Sequence, residues 1–92
     1  MSAPTLSTLL GRLADAADHG PSDGVPTLLA ECLAACAHET TISKTPQADL
    51  QQRLTVWRDV WPRLGKDPQF RAAVAREAHR WSAALLQQAQ RG

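Results

Sequence analysis

The stretch Leu50-Gln51-Gln52-Arg53-Leu54-Thr55-Val56-Trp57-Arg58-Asp59-Val60-Trp61-Pro62-Arg63-Leu64-Gly65-Lys66-Asp67-Pro68 decides the fold. At 100° per residue, Leu50, Leu54, Trp57, Trp61 and Leu64 line up as one stripe of large apolar side chains. Val56 and Val60 form a second ridge beside it, so the apolar arc is about 160° wide. Pro62 removes a backbone donor and is expected to end or kink this helix near Trp61, with Gly65 as the stop. Asp67 is a good N-cap and Pro68 a good first residue for another helix. The link of three residues between them is short enough to turn the next helix back antiparallel.

Two more punctuation marks, His19-Gly20-Pro21 and Thr45-Pro46, divide the rest of the chain. The first segment starts near Pro4 and places Leu6, Leu9, Leu10, Leu13, Ala14, Ala16 and Ala17 on one arc. Thr8, Arg12, Asp15 and Asp18 lie opposite, and Gly11 sits at the boundary, where another helix could come close. Pro26 opens the second segment, which is apolar nearly all round except for Glu31 and His38, and such a helix is expected to meet extra protein, most simply a second copy of the chain. Thr40 to Thr45 reads as a polar connection, with Thr45-Pro46 capping and starting the third segment. In the fourth, Phe70, Val74, Ala78, Trp81 and Leu85 form the inner face, while Arg76, Arg80, Gln87 and Arg91 cluster on one flank. The resulting expectation is an all-α antiparallel four-helix bundle in a single domain, residues 1–92, with helices at about 4–18, 26–39, 46–63 and 68–90.

A chain of 92 residues has one core and no room for a deep substrate cavity. Net charge is +1, unevenly laid out. Residues 1–45 hold two cations against five carboxylates, a net of −3, and residues 46–92 hold eight cations against four carboxylates, a net of +4. Such a split suits pairing between chains or a partner of opposite charge. There is no run of eighteen apolar residues and no signal-peptide pattern at Met1-Ser2-Ala3-Pro4, so a cytoplasmic location without membrane association is expected.

Several residues invite chemical readings. Cys32 and Cys36, one turn apart, could supply two ligands to a soft metal such as Cu(I) or Zn(II). His38 points about 160° away from Cys36, Glu39 sits at a frayed end, and both thiols lie amid leucine and alanine, so they are read as core residues and no cofactor is expected. His38 and His79 face outward, but the lysine and small residues that should follow a phosphoacceptor histidine are absent. The short glycine-containing turn before an arginine-bearing helix resembles the layout of a helix-turn-helix. A nucleic-acid-binding regulator using the fourth helix is therefore an alternative, weakened by the near-neutral balance. No serine or cysteine has a histidine placed beside it, and catalysis is not expected. The leading expectation is a non-enzymatic binding module: an adaptor, regulatory subunit or inhibitor of a protein partner, self-associating as a homodimer. Its contact residues are Val56, Val60 and Trp61 for apolar contact, with Trp61 partly exposed, and Arg76 and Arg80 for charge steering.

Overall fold

The computed structural model describes residues 5–38 and 44–91, of which Lys44 and residues 88–91 through the backbone alone. Four helices, α1 (Leu6–Asp18), α2 (Val25–Ala37), α3 (Lys44–Leu64) and α4 (Pro68–Arg91), make an all-α bundle without strands among the described residues. A 3₁₀ turn, Ser22–Gly24, joins α1 to α2.

Local chemistry accounts for most of the boundaries. Thr5 caps α1, its Oγ1 accepting from the Thr8 backbone N–H at 3.2 Å. Pro4, the expected start, lies outside the described residues. At the other end the His19 and Gly20 amides close onto Asp15 and Ala16, and Pro21 cannot continue the ladder. Pro26 occupies the first turn of α2, where a missing N–H costs nothing. That helix ends at Ala37 with His38 as its C-cap, and Glu39, expected inside it, is beyond the described residues. Asp67 caps α4 as expected, accepting from the Gln69 amide at 2.9 Å.

Helix α3 departs from expectation at both ends. It begins at Lys44 rather than at a Thr45 cap, because Pro46 then falls in the first turn, whose amides have no helical acceptor in any case. It also runs through Pro62 to Leu64, one residue past the expected 63, with Gly65 the stop as expected. Pro62 and Arg58 both lie on the wet face, so the Arg58 carbonyl that loses its helical donor is not sealed in the core, and the Gly65 amide closes the helix on the Trp61 carbonyl at 2.7 Å.

Side-chain contacts establish the antiparallel order. Ser82 Oγ donates to the Ser7 carbonyl at 2.7 Å near one end of α1, and Arg71 reaches the Ala17 carbonyl at 2.9 Å near the other, so α4 runs against α1. Gln47 Nε2 donates to the Cys36 carbonyl at 2.6 Å, while Trp61 Nε1 reaches the Ser22 carbonyl at 3.0 Å, so α3 runs against α2. The α1 and α4 seam is the most extensive, those of α2 with α1 and α3 are intermediate, and α3 against α4 is the thinnest.

The core holds Leu6, Leu9, Leu10, Leu13, Ala14 and Ala17 from α1, as its sequence pattern implies, with Ala16 half-buried. Leu50, Leu54 and Trp57 of α3 face it, along with Val74, Ala75, Ala78 and Leu85 of α4. Leu64, expected on the inner stripe, is 40% exposed, because the last turn of α3 runs out beside the connecting turn. The surplus apolar surface expected on α2 is small. Its Val25, Leu29 and both cysteines are fully buried, Leu28 and Leu33 are half-buried against the core, and its exposed face is Pro26, Thr27, Ala30, Glu31, Ala34 and Ala37, so no large apolar side chain of α2 is exposed. Among the described residues the exposed large hydrophobic side chains are instead Val56, Leu64 and Leu86, on α3 and α4. Among the described residues no helix is long and apolar enough to cross a membrane.

Gly11 does lie against α4, but with space to spare. A Cβ there would meet only Ser82 Oγ, at 3.7 Å, an ordinary contact. Gly11→Ala should therefore raise stability by about 0.5 to 1 kcal/mol through helix propensity and a less flexible unfolded chain, read as a rise of several degrees in melting temperature. A fall would mean that α4 needs a closer approach than this spacing indicates.

Candidate functional site

Because α3 and α4 meet so thinly, a groove of about 450 Å³ opens between them, lined by Asp49, Gln52, Arg53, Val56, Glu77 and Trp81. What bridges it is an ion pair, Arg53 Nε to Glu77 Oε1 at 3.0 Å, with the arginine side chain 53% exposed. An exposed pair of this kind contributes about 0 to 1 kcal/mol, so the helices are held apart from each other more by their other neighbours than together by this bond. Val56 is 44% exposed on one wall and Trp81 is half-buried on the other. Ala73, Arg76, Glu77 and Arg80 line a second, shallower depression of about 380 Å³ on α4. Glu77 belongs to both, so the two depressions form one continuous face.

Four of the five expected contact residues fall on or beside this face. Val56 lines the groove, Val60 is half-buried one turn further along α3, and Arg76 and Arg80 are exposed on α4. Trp61 does not belong there. It is 4% exposed, its indole N–H is taken by the Ser22 carbonyl and its ring lies 5.8 Å from that of Phe70 at 49°. Expecting it to be partly exposed rested on Pro62 ending the helix, which does not happen. The tryptophan that reaches the surface is Trp81. It shares a helical line with Phe70 and should have been covered, but α3 does not close over it.

Arg71 is the functional-looking residue whose role lies elsewhere. It reaches across from α4 to the C-terminal end of α1, donating to the carbonyls of Ala17 at 2.9 Å, Ala16 at 3.2 Å and Gly20. The last turn of α1 has no basic residue of its own, so this guanidinium satisfies orphan carbonyls and complements the negative end of the helix dipole. The consequence bears on nucleic acid: the one cation in the first turn of α4, where a recognition helix reads bases, is committed inside the fold.

The thiols of Cys32 and Cys36 are 0% exposed. Burial, then the neighbouring Glu31 carboxylate and the Cys36 thiol, push Cys32 up to about 12, so it stays protonated at neutral pH, the form that does not attack an electrophile. Among the described residues no three His, Cys, Asp or Glu side chains come together as a metal site. His79 is exposed, its Nε2 at 4.0 Å from Asp15 Oδ1, and His38 is an exposed helix cap. Compared with known proteins, the chain matches no family model, no curated protein and no solved structure.

Proposed function

We propose that this protein is a small non-enzymatic helical binding module, an adaptor, regulatory subunit or inhibitor that docks a protein partner on its α3 and α4 face and self-associates as a homodimer. What supports this reading is the half-open seam itself: Val56 and Trp81 are left accessible between two helices, beside the arginine pair Arg76 and Arg80. A side chain inserted there would bury apolar surface that the fold leaves wet, and the arginine rim would favour an acidic partner surface and speed encounter. The groove's ionisable groups are a solvated ion pair and the exposed Asp49, which suits recognition more than proton transfer. A location in the cytoplasm fits two buried thiols that form no disulfide.

The test places a photo-crosslinking side chain at Val56, with Thr8 on the wet face of α1 as the control, in cells that express the protein naturally. A heteromeric product formed at Val56 and not at Thr8, and reduced about tenfold by Arg76→Glu with Arg80→Glu, is the expected outcome. Equal products at both sites, or indifference to the arginines, would overturn the assignment of this face. A product that contains nucleic acid and weakens steeply with salt would favour the alternative reading of α4.

A further inference from the structure

We propose that the groove between α3 and α4 takes one amphipathic helix of a partner protein, its apolar stripe over Val56 and Trp81 and an acidic flank over Arg76 and Arg80. The inference rests on the reading above and names the kind of partner that face admits. The groove runs along two antiparallel helices: Arg53 is bonded to Glu77, and one turn away, in opposite chain directions, Asp49 and Trp81 line the same cleft. At 1.5 Å per residue, Asp49 to Val56 spans about 10 Å, so about two turns of a visiting helix lie in it. Both walls are helical here, with their backbone amides and carbonyls already spent on bonds within α3 and α4. An extended segment laid between them would find no edge to pair with and would leave its own peptide groups unmatched on the buried side. A helix satisfies its own.

The charges select the sign of the visitor. Three guanidiniums, Arg53, Arg76 and Arg80, border the face against two carboxylates, Asp49 and Glu77. Glu77 is answered by Arg53 at 3.0 Å, while Arg76 and Arg80 have no acidic partner among the described residues. They stand one turn apart, about 6 Å along α4, which is the spacing of two carboxylates at i and i+4 on a facing helix. Each offers a planar fork that a carboxylate can meet with two bonds. Ala73, in the depression that Arg76, Glu77 and Arg80 also line, ends in a single methyl, so a helix can come close there. Asp49 lies on the opposite wall at about the level of Arg80, where it disfavours a carboxylate and favours a lysine or arginine. The two walls thus differ in sign near Trp81. Reversing a helix exchanges its flanks, so a given partner sequence is accepted in one direction.

Display selection tests the assignment: a library of peptides of about 18 residues, with leucine fixed along one helical stripe and both flanks randomised, is panned against the full chain. The expected winners carry Asp or Glu one turn apart on one flank, and on mixing give more helical ellipticity than peptide and protein separately. Arg76→Glu with Arg80→Glu should weaken them at least about tenfold, and Val56→Glu about as much, while Thr8→Glu leaves binding unchanged. A winner whose carboxylates are replaced by lysine should prefer the Arg76→Glu, Arg80→Glu chain to the wild type. All the substituted positions are exposed, and unchanged helix content by circular dichroism serves as the control for folding. An empty selection, winners without an acidic flank, binding without a gain in helix, or indifference to the substitutions overturns the assignment. Self-association in sedimentation velocity that the same substitutions abolish also overturns it, since the occupant is then a second copy. If the acidic helix fails while crosslinking from Val56 still captures a partner in an arginine-dependent way, the docking face stands without its proposed occupant; if both fail, the face itself is wrong.

Discussion

Trp61→Ala is expected to cost about 4 kcal/mol of folding stability, in the range for removing a buried aromatic ring. A domain of 92 residues has a total of about 5 to 14 kcal/mol, so the variant should sit near the edge of unfolding at body temperature. The reason is position. At one end of the bundle the indole donates to Ser22 in the turn between α1 and α2, packs on Phe70 of α4, and belongs to α3, so one side chain ties three parts of the chain. Gly65 follows from the same ring: a Cβ there would stand 2.6 Å from Nε1 and 2.7 Å from the Trp61 carbonyl, so only glycine fits beneath it. Urea unfolding followed by circular dichroism measures the loss, and Trp61→Phe should recover part of it by keeping a ring against Phe70. Trp81→Ala provides the comparison. Half-buried in the groove, Trp81 should cost about 1 to 2 kcal/mol, since its burial is partial. If Trp61→Ala cost under about 1 kcal/mol, less than the loss at Trp81, the assignment of Trp61 to the core and Trp81 to the surface would be reversed.

Arg71→Met is expected to cost about 3 kcal/mol. Methionine keeps much of the apolar stem, so the loss isolates the guanidinium and the three carbonyls it bonds at the end of α1. Hydrogen bonds to a charged donor contribute about 1.5 to 3 kcal/mol each, but bonds sharing one group are not additive, which holds the figure well below the sum of three. Arg71→Lys should recover less than half, because an ammonium supplies charge without the planar fork that spans separate carbonyls. Amide hydrogen exchange locates the effect: in Arg71→Met the amides near Ala16 and Ala17 should lose protection ahead of those in the middle of α1. Uniform loss along the helix would show that Arg71 acts through general packing instead.

Both residues mark where the sequence stops being legible. The helices and their order follow from local signals, since glycine and proline stops and the leucine spacing of α1 act within a few residues. The exposure of Val56 is likewise readable, because it stands about 130° around α3 from the centre of the buried stripe. The places of Trp61 and Arg71 depend on partners far along the chain: the indole on a carbonyl 39 residues away, the guanidinium on carbonyls 51 to 55 residues away. The missing cation in the last turn of α1 could be seen in the sequence, but which arginine supplies it could not. Trp81 packs against the core as its face implies, yet stays only half-buried, for a related reason. Helical periodicity identifies the side that faces inward and says nothing about whether the neighbouring helix arrives, and α3 stands off. The apolar excess on α2 is smaller than its hydropathy implies, because alanine counts as apolar while its exposed methyl adds little area, and Leu28 and Leu33 are left only half-covered.

The broadest seam in the molecule joins its first helix to its last. During synthesis, then, Leu6, Leu9, Leu10 and Leu13 emerge early and have no lasting shelter until Val74 and Ala78 have left the ribosome. The bundle therefore gains its main seam only once α4 has been made, and a nascent chain stalled at Gly65 would be exposed to proteases and to its own neighbours on the polysome.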